Sequence, residues 1–245
     1  MIMNITMSLV KSVALTTALL SSAIAASVYA SPESKRGEST SKLLTANFSP
    51  RKVVKIEAGD FHFVPGQIAP IHTHDAPAIG YVSKGEILYQ VEGEKPQLLR
   101  EGDAFYEPAG PRILRFDNAS ATEEAIFIDF NLQQQGEPFI VFEEELTEHI
   151  DRRTLATVEL EEETISQADI FVSELEPKGS KILKVNDVPV LGYVAEGAIK
   201  IKIPGEGTKR IHAGDSFYLP GGDVSATIKN ESSKVPAKVI SFYLL

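Results

Sequence analysis

One segment of this chain occurs twice. Residues 80–118 lie over residues 192–230 at a constant offset of 112 with no gap, and 14 of the 39 aligned positions are identical. In that register Gly80, Tyr81, Val82 and Gly85 return as Gly192, Tyr193, Val194 and Gly197, and GDAFYEPAG (residues 102–110) returns as GDSFYLPGG (residues 214–222). A period this long exceeds that of solenoid repeats and marks a duplicated domain. The 245-residue chain is therefore expected to form two domains of about 100 residues each.

Between turn signals such as Gly59-Asp60, Pro65-Gly66, Glu92-Gly93 and Glu101-Gly102 run short β-rich stretches. Residues 199–203 alternate strictly, which turns Ile199, Ile201 and Ile203 toward a core and Lys200 and Lys202 toward water. Transferred to the first copy, the same facing points Ile87, Tyr89 and Val91 inward. Only residues 142–153 (FEEELTEHIDRR) read as helical, a short connector between the copies. The fold class expected is all-β, with two antiparallel sandwiches or barrels.

The net charge of −10 speaks against nucleic acid or an anionic membrane surface as a partner. Lys11 precedes an apolar stretch at 12–26 and small residues at Val28 and Ala30, the pattern of a secretory signal at 1–30 cleaved after Ala30. The expected destination is the secretory pathway: extracellular, periplasmic in a Gram-negative host, or an endomembrane lumen such as the vacuole in a fungal one. No membrane association is expected after cleavage. Residues 31–46 follow as a polar linker, with Lys35-Arg36 resembling a fungal dibasic processing site. Domains are expected at 47–145 and 146–245. Asn47, Asn118 and Asn230 open N-x-S triplets, glycan acceptors only in a eukaryotic secretory route.

Residues 66–118 resemble the cupin superfamily, jelly-roll (double-stranded β-helix) barrels that commonly hold a metal at the barrel mouth. The first cupin motif has a glycine, then H-x-H, a glutamate and a second glycine; here it reads Gly66, His72-Thr73-His74, Ala78 in the glutamate slot, and Gly85. The second motif keeps Gly102, Pro108 and Gly110 but has Ile113 in its histidine slot. The second copy keeps Gly214, Pro220, Gly222 and Asn230, so the chain resembles a bicupin. Its ligand slots carry Lys184, Asn186, Val190 and Ser225. The resemblance thus implies a site in the N-terminal barrel and no metal in the C-terminal one, where Lys184 is a candidate for binding an anion.

Two histidines at i and i+2 on a strand project from one face and can address one ion. Fe, Mn, Ni or Zn are the expected choices, but two ligands hold a divalent ion weakly. Glu107 is the candidate third ligand or general acid/base, because its counterpart is Leu219 and because an inward glutamate without a partner is costly. Phe105 and Phe217 share its strand parity, yet Tyr106 and Tyr218 could mark the inward face equally well. In the latter case Glu107 sits at the rim. Tyr89, replaced by Ile201, either lends a hydroxyl to the pocket or is a core tyrosine satisfied by backbone. Asp75 is a candidate acceptor behind an imidazole, or a loop residue. His62 either approaches the site or faces a polar surface, and His149 and His212 read as surface residues.

Three functions remain open on these residues. One is metal-assisted chemistry on a small organic molecule of dioxygenase, decarboxylase, isomerase or lyase type, with His72, His74 and Glu107 at the metal and Tyr89 against the substrate. The others are a non-catalytic carbohydrate- or metabolite-binding protein and a storage bicupin. A homo-oligomer is compatible with each.

Overall fold

A computed structural model describes residues 38–146, 149–222 and 225–245, all of them strand, turn or loop. Residues 1–30, read above as a secretory signal, and the stretch read as linker up to residue 37 lie outside the described residues. The two copies share one 9-stranded antiparallel sheet. Its path runs Ser216–Leu219, Val190–Glu196, Ala237–Leu244, Val158–Leu175, Glu38–Phe63, Ala125–Gln133, Ala78–Lys84 and Ala104–Glu107, with Asp151–Thr154 paired beside Glu38–Phe63. A second sheet closes each barrel. In the first it runs Gln97–Arg100, Glu86–Val91, Ile113–Asn118, His72–Thr73 and Val141–Phe142; in the second, Ser180–Lys184, Ser225–Asn230, Ala198–Ile203 and Gly207–His212. Residues 199, 201 and 203 are buried with Lys200 and Lys202 exposed, and Ile87, Tyr89 and Val91 are buried, as the alternation requires.

Homologous residues meet across the junction. Phe130 stacks edge-on against Phe242 at 5.0 Å between ring centroids, and Tyr81 lies 6.5 Å from Tyr193. Each pair differs by the repeat offset, so the copies are related by a local two-fold and present the same patch to one another. The same core takes up Tyr106 and Tyr218. Those tyrosines therefore face the inter-domain core, which leaves Phe105 and Glu107 facing the barrel. This settles the two readings of that strand.

Two stretches correct the expectations. Residues 38–46, read as the end of a polar linker, are strand paired from Glu38↔Leu175 to Ala46↔Ala168. Backbone hydrogen bonds hold an edge strand whatever its composition, and a polar outer row is what such an edge carries. The connector is not helical among its described residues. Val141–Phe142 pairs with His72–Thr73, and Asp151–Thr154 pairs with Gly59–His62. Glu and Leu favour a helix by only tenths of a kcal/mol per residue, roughly, and two open strand edges outweigh that. The apolar residues at helical spacing, Phe142, Leu146 and Ile150, line a cavity instead.

Each copy thus lends its first segment to the other. Residues 38–42 extend the sheet of the second barrel, and residues 151–154, at the offset of 112, extend that of the first. Arg153 links the two, donating to Asp60 Oδ2 at 2.9 Å on one side and to Asp215 Oδ1 at 3.2 Å on the other.

Repeated residues have repeated reasons. Gly80 and Gly192 are the cross-strand partners of Phe105 and Phe217, whose rings lie over them. Asn118 donates through Nδ2 to the carbonyls of Phe63, Val64 and Glu123, and accepts at Oδ1 from the Ser120 N–H. Asn230 does the same with Leu175, Glu176, Val235 and Ser232. Both amides are buried in turn-closing networks, and Asn47 alone of the N-x-S asparagines is exposed.

Candidate metal centre in the N-terminal barrel

His72 and His74 enter the barrel from the short strand His72–Thr73, both buried, with Thr73 turned the other way. Glu107 arrives from the opposite sheet. Its cross-strand neighbour is Ala78, the residue in the cupin glutamate slot. Directly opposed residues have Cβ atoms about 5 Å apart, so a glutamate on either strand can reach the same space. The carboxylate absent at Ala78 is supplied one strand over, and the small Ala78 leaves it room.

One ligand atom from each of His72, His74 and Glu107 falls within 4.8 Å of the others. His72 Nε2 is 3.6 Å from Glu107 Oε1, and His74 Nε2 is 3.4 Å from Oε2. These separations do not make good hydrogen bonds. His74 Nε2 and Glu107 Oε1 are buried with no hydrogen-bond partner. The far side of each ring is committed: His72 Nδ1 is 2.8 Å from the Pro70 carbonyl, and His74 Nδ1 is 3.0 Å from that of Phe139. Carbonyls accept only, so each Nδ1 carries a proton, and each ring in its neutral form turns an Nε2 lone pair inward. Three buried donor atoms facing one point with nothing between them is what a cation needs. The residues fit a divalent metal.

Asp129 and Asn131, from strand Ala125–Gln133, flank the triad. Asn131 shares the partner Ala78 with Glu107, and its Nδ2 is 3.1 Å from the Phe139 carbonyl beside His74. Asp129 is buried, lines the cavity, and has Oδ1 without a partner. Neither was found from the sequence. The signal was present: continuing the same offset past residue 118 sets Ser241 against Asp129 and Tyr243 against Asn131, the substitution logic that exposed Glu107.

Burial works against charge on all three acids and bases here, and their partners decide the outcome. For His74, burial lowers the pKa, but the Glu107 carboxylate and then Asp129 overcome it and raise the pKa to about 9. For Glu107, burial raises the pKa, and His74 and His72 together pull it below the usual carboxylate range. Burial and the Glu107 charge push Asp129 up to about 8, so this carboxyl keeps its proton at neutral pH. The cation-free site is therefore an imidazolium–carboxylate pair beside a neutral acid. A histidine raised in this way stabilises the fold fully below pH 6.5, and the contribution disappears as pH rises through about 9. Asp129 has the same sign of pH dependence, but as a net cost: its raised pKa removes stability as pH climbs from 3.8 to about 8. A group kept at a cost to stability is a mark of a functional site.

A cavity of about 200 Å³ opens above the triad. Phe61, Phe63, Phe116, Phe127, Phe139 and Phe142 wall it, and Arg152 from the connector stands at its edge.

The other sequence candidates lie elsewhere. Tyr89 is in the core and does not line the cavity; its hydroxyl donates to the Tyr106 carbonyl at 2.6 Å, so the expectation of a substrate-facing hydroxyl is corrected. Asp75 is exposed, and its carbonyl accepts from Arg51. His62 pairs loosely with Asp60 on the outer face, and His149 and His212 are exposed.

The second barrel departs from expectation in an informative way. Lys184 and Asn186 are exposed, and Leu183 and Val185 point inward instead. Lys184 still pairs with Ser225 as His72 pairs with Ile113, so the register of this strand is kept. The first barrel has a bulge between Gln90 and Val91 that the corresponding pairs of the second do not show, and it exchanges the faces of the paired ends. Lys184 therefore offers nothing to the interior, which Val190, Ile199, Ile201, Leu219 and Ile228 fill. Among the described residues the three-ligand cluster occurs in the first barrel alone.

Two barrels joined through one sheet, the first with an inward His–His–Glu cluster and the second packed solid, define a bicupin with a single candidate centre. The chain belongs to the cupin family: the cupin domain matches residues 53–131 and 171–243. No curated protein matches it by sequence. Among solved structures it is similar to AerE from Microcystis aeruginosa, with TM-score 0.55, 15% identity, and 83% of this chain and 98% of that one covered. The salicylate 1,2-dioxygenase from Pseudaminobacter salicylatoxidans has TM-score 0.52, 15% identity and coverage of 78% and 71%. The 11S globulin from Wrightia tinctoria, described with an auxin binding site, has TM-score 0.55, 12% identity and 83% coverage of each chain. At these identities the likeness is one of fold.

Proposed function

We propose that this is an exported, metal-dependent bicupin whose N-terminal barrel carries out oxygenase-type chemistry on a small, largely apolar organic molecule. The observation that carries it is the cluster of buried ligand atoms on His72, His74 and Glu107, with His74 Nε2 and Glu107 Oε1 lacking a hydrogen-bond partner, at the base of a phenylalanine-lined cavity. Two histidines and one carboxylate with open positions suit non-haem iron above the other candidates. Bound there, iron supplies redox chemistry and coordination positions for the reactants. The chain's own residues do the rest. His72 and His74 are oriented by the Pro70 and Phe139 carbonyls, the phenylalanines exclude water, and Asp129 holds a proton beside the reacting space. Similarity to a salicylate dioxygenase agrees with this reading, and the segment at 1–30 supports export.

The test is calorimetric titration of the chelator-treated protein with Fe(II) or Zn(II) under anaerobic conditions. One ion per chain is expected. Because His74 must lose its proton to ligate, binding should release about one proton near pH 7, seen as a dependence of the heat on the buffer's ionisation enthalpy. Apparent affinity should rise by up to about tenfold per pH unit from 6.5 towards 9, the direction opposite to the stability of the metal-free fold. Substoichiometric binding of both ions would make the protein a metal-free binder of small molecules.

A further inference from the structure

The oxygenase reading leaves one cavity group without a role. Arg152 sits on the strand Asp151–Thr154, which the second copy lends to the first barrel, as the cross-strand partner of Phe61. The alternation of that strand sends Arg153 outward to Asp60 and Asp215 and sends Arg152 to the cavity. We propose that Arg152 is the anion-binding residue of this site, and that the cavity takes a single-ring organic monoanion whose carboxylate it holds. The proposal rests on the reading that the cavity is the small-molecule site.

Its geometry is that of a guanidinium held ready. The guanidinium carbon lies 3.7 Å from the centre of the Phe139 ring and 5.7 Å from that of Phe61. Stacking on a ring fixes the plane and leaves the N–H edge free to bond. Nη2 donates to Glu57 Oε1 at 2.7 Å, which anchors one end. Nε is buried and has no partner. It occupies space that only a glycine leaves open, since a Cβ on Gly59 would stand 2.7 Å from it. Gly59 is the cross-strand partner of Asp129, so this unpaired N–H lies on the Asp129 side of the cavity. Buried N–H groups are rarely left unpaired, and a ligand oxygen is the partner this one lacks.

The duplicated barrel shows the same place with the function removed. At the offset of 112, Thr40 stands for Arg152, Ser173 for Phe61 and Lys181 for Ala69. Lys181 is buried there and donates to the hydroxyls of Thr40 and Ser173, the latter at 2.9 Å. Those polar groups satisfy one another. In the first barrel the equivalent position holds an unsatisfied guanidinium edge over a cavity of about 200 Å³. An apolar cavity of about 150 Å³ accepts benzene, so this one has room for one ring with a carboxylate.

Benzoate and benzamide share a shape and differ in charge, which makes them the probes. They are titrated against the metal-free full chain and its Arg152→Met and Arg152→Lys variants, with circular dichroism as the check on folding. The wild type is expected to bind benzoate about tenfold or more tightly than benzamide, the effect of one charge-assisted pair. Arg152→Met should abolish that preference while still binding benzamide, and Arg152→Lys should keep only part of it. Equal binding of the two probes by the wild type, binding of neither at 10 mM, roughly the weakest useful affinity, or an undiminished preference in either folded variant would overturn the proposal. If Arg152→Met fails to fold, the wild-type comparison and the lysine variant decide. Metal is absent throughout, so failure of the metal titration would sink the oxygenase reading alone, and loss of the anion preference would sink this proposal alone.

Discussion

Replacing Glu107 by leucine is expected to remove metal binding while leaving the barrel intact. The second copy already carries the experiment, since Leu219 occupies the equivalent position fully buried in a packed interior. Loss of a positioning partner outside the metal's own ligands weakens affinity by about 10–100-fold, so loss of a ligand should exceed that range. His72→Ala should reproduce the effect, and the double variant should be little worse, because members of one site do not add. Stability gives a second readout, with a sign set by pH. At pH 6 the wild type gains from the His74–Glu107 pair, and the variant, which takes the main counter-charge from the imidazolium, should melt lower. Above about pH 9 His74 is neutral in both, and leucine relieves a buried carboxylate, so the variant should melt at the same temperature or higher. Full metal stoichiometry in Glu107→Leu at wild-type affinity would remove this residue from the centre.

Gly80→Ala is expected to be among the most damaging single substitutions in the first barrel. A Cβ there would stand 2.1 Å from Phe105 Cζ and 2.4 Å from the backbone oxygen of Ile128. The ring can turn aside, but the carbonyl of a paired central strand cannot. We expect a loss of about 3 kcal/mol or more, at or beyond the usual cost of overpacking. Combining it with Phe105→Ala should recover only part of the loss, leaving the share due to Ile128. Gly66→Ala is the control: at φ +70 with nothing within 4 Å it carries only the left-handed backbone penalty, about 1 kcal/mol. Urea denaturation monitored by tyrosine fluorescence would rank the three. A Gly80→Ala midpoint equal to that of Gly66→Ala would show that the strands can separate to admit the methyl.

The fold and most of the centre were legible because duplication supplies an internal comparison. The offset fixed the domain count, the strand alternation of residues 199–203 oriented its counterpart, and the contrast of Glu107 with Leu219 isolated a carboxylate that no spacing rule would have chosen. The same comparison carried past residue 118 would have drawn in Asp129 and Asn131.

What the chain alone determined is local and periodic: which stretches are strands, which faces are apolar, and that one copy carries ligand-type residues. Tertiary structure decided the matters that depend on what lies across a strand. Tyr89 finds the Tyr106 carbonyl and so leaves the site, Glu107 replaces the carboxylate missing at its neighbour Ala78, and a bulge that the first barrel has and the corresponding pairs of the second do not show leaves Lys184 turned out to solvent. It also decided the paths of residues 38–46, 142–146 and 149–153, stretches that composition reads as linker and helix. Their backbone groups are paired with strands far away in sequence, and one of those pairings carries Arg152 from the second copy into the cavity of the first. Hydrogen bonding of that kind leaves no trace in the order of side chains along the segment itself, because the partner's edge, and not the segment's own composition, supplies the free energy.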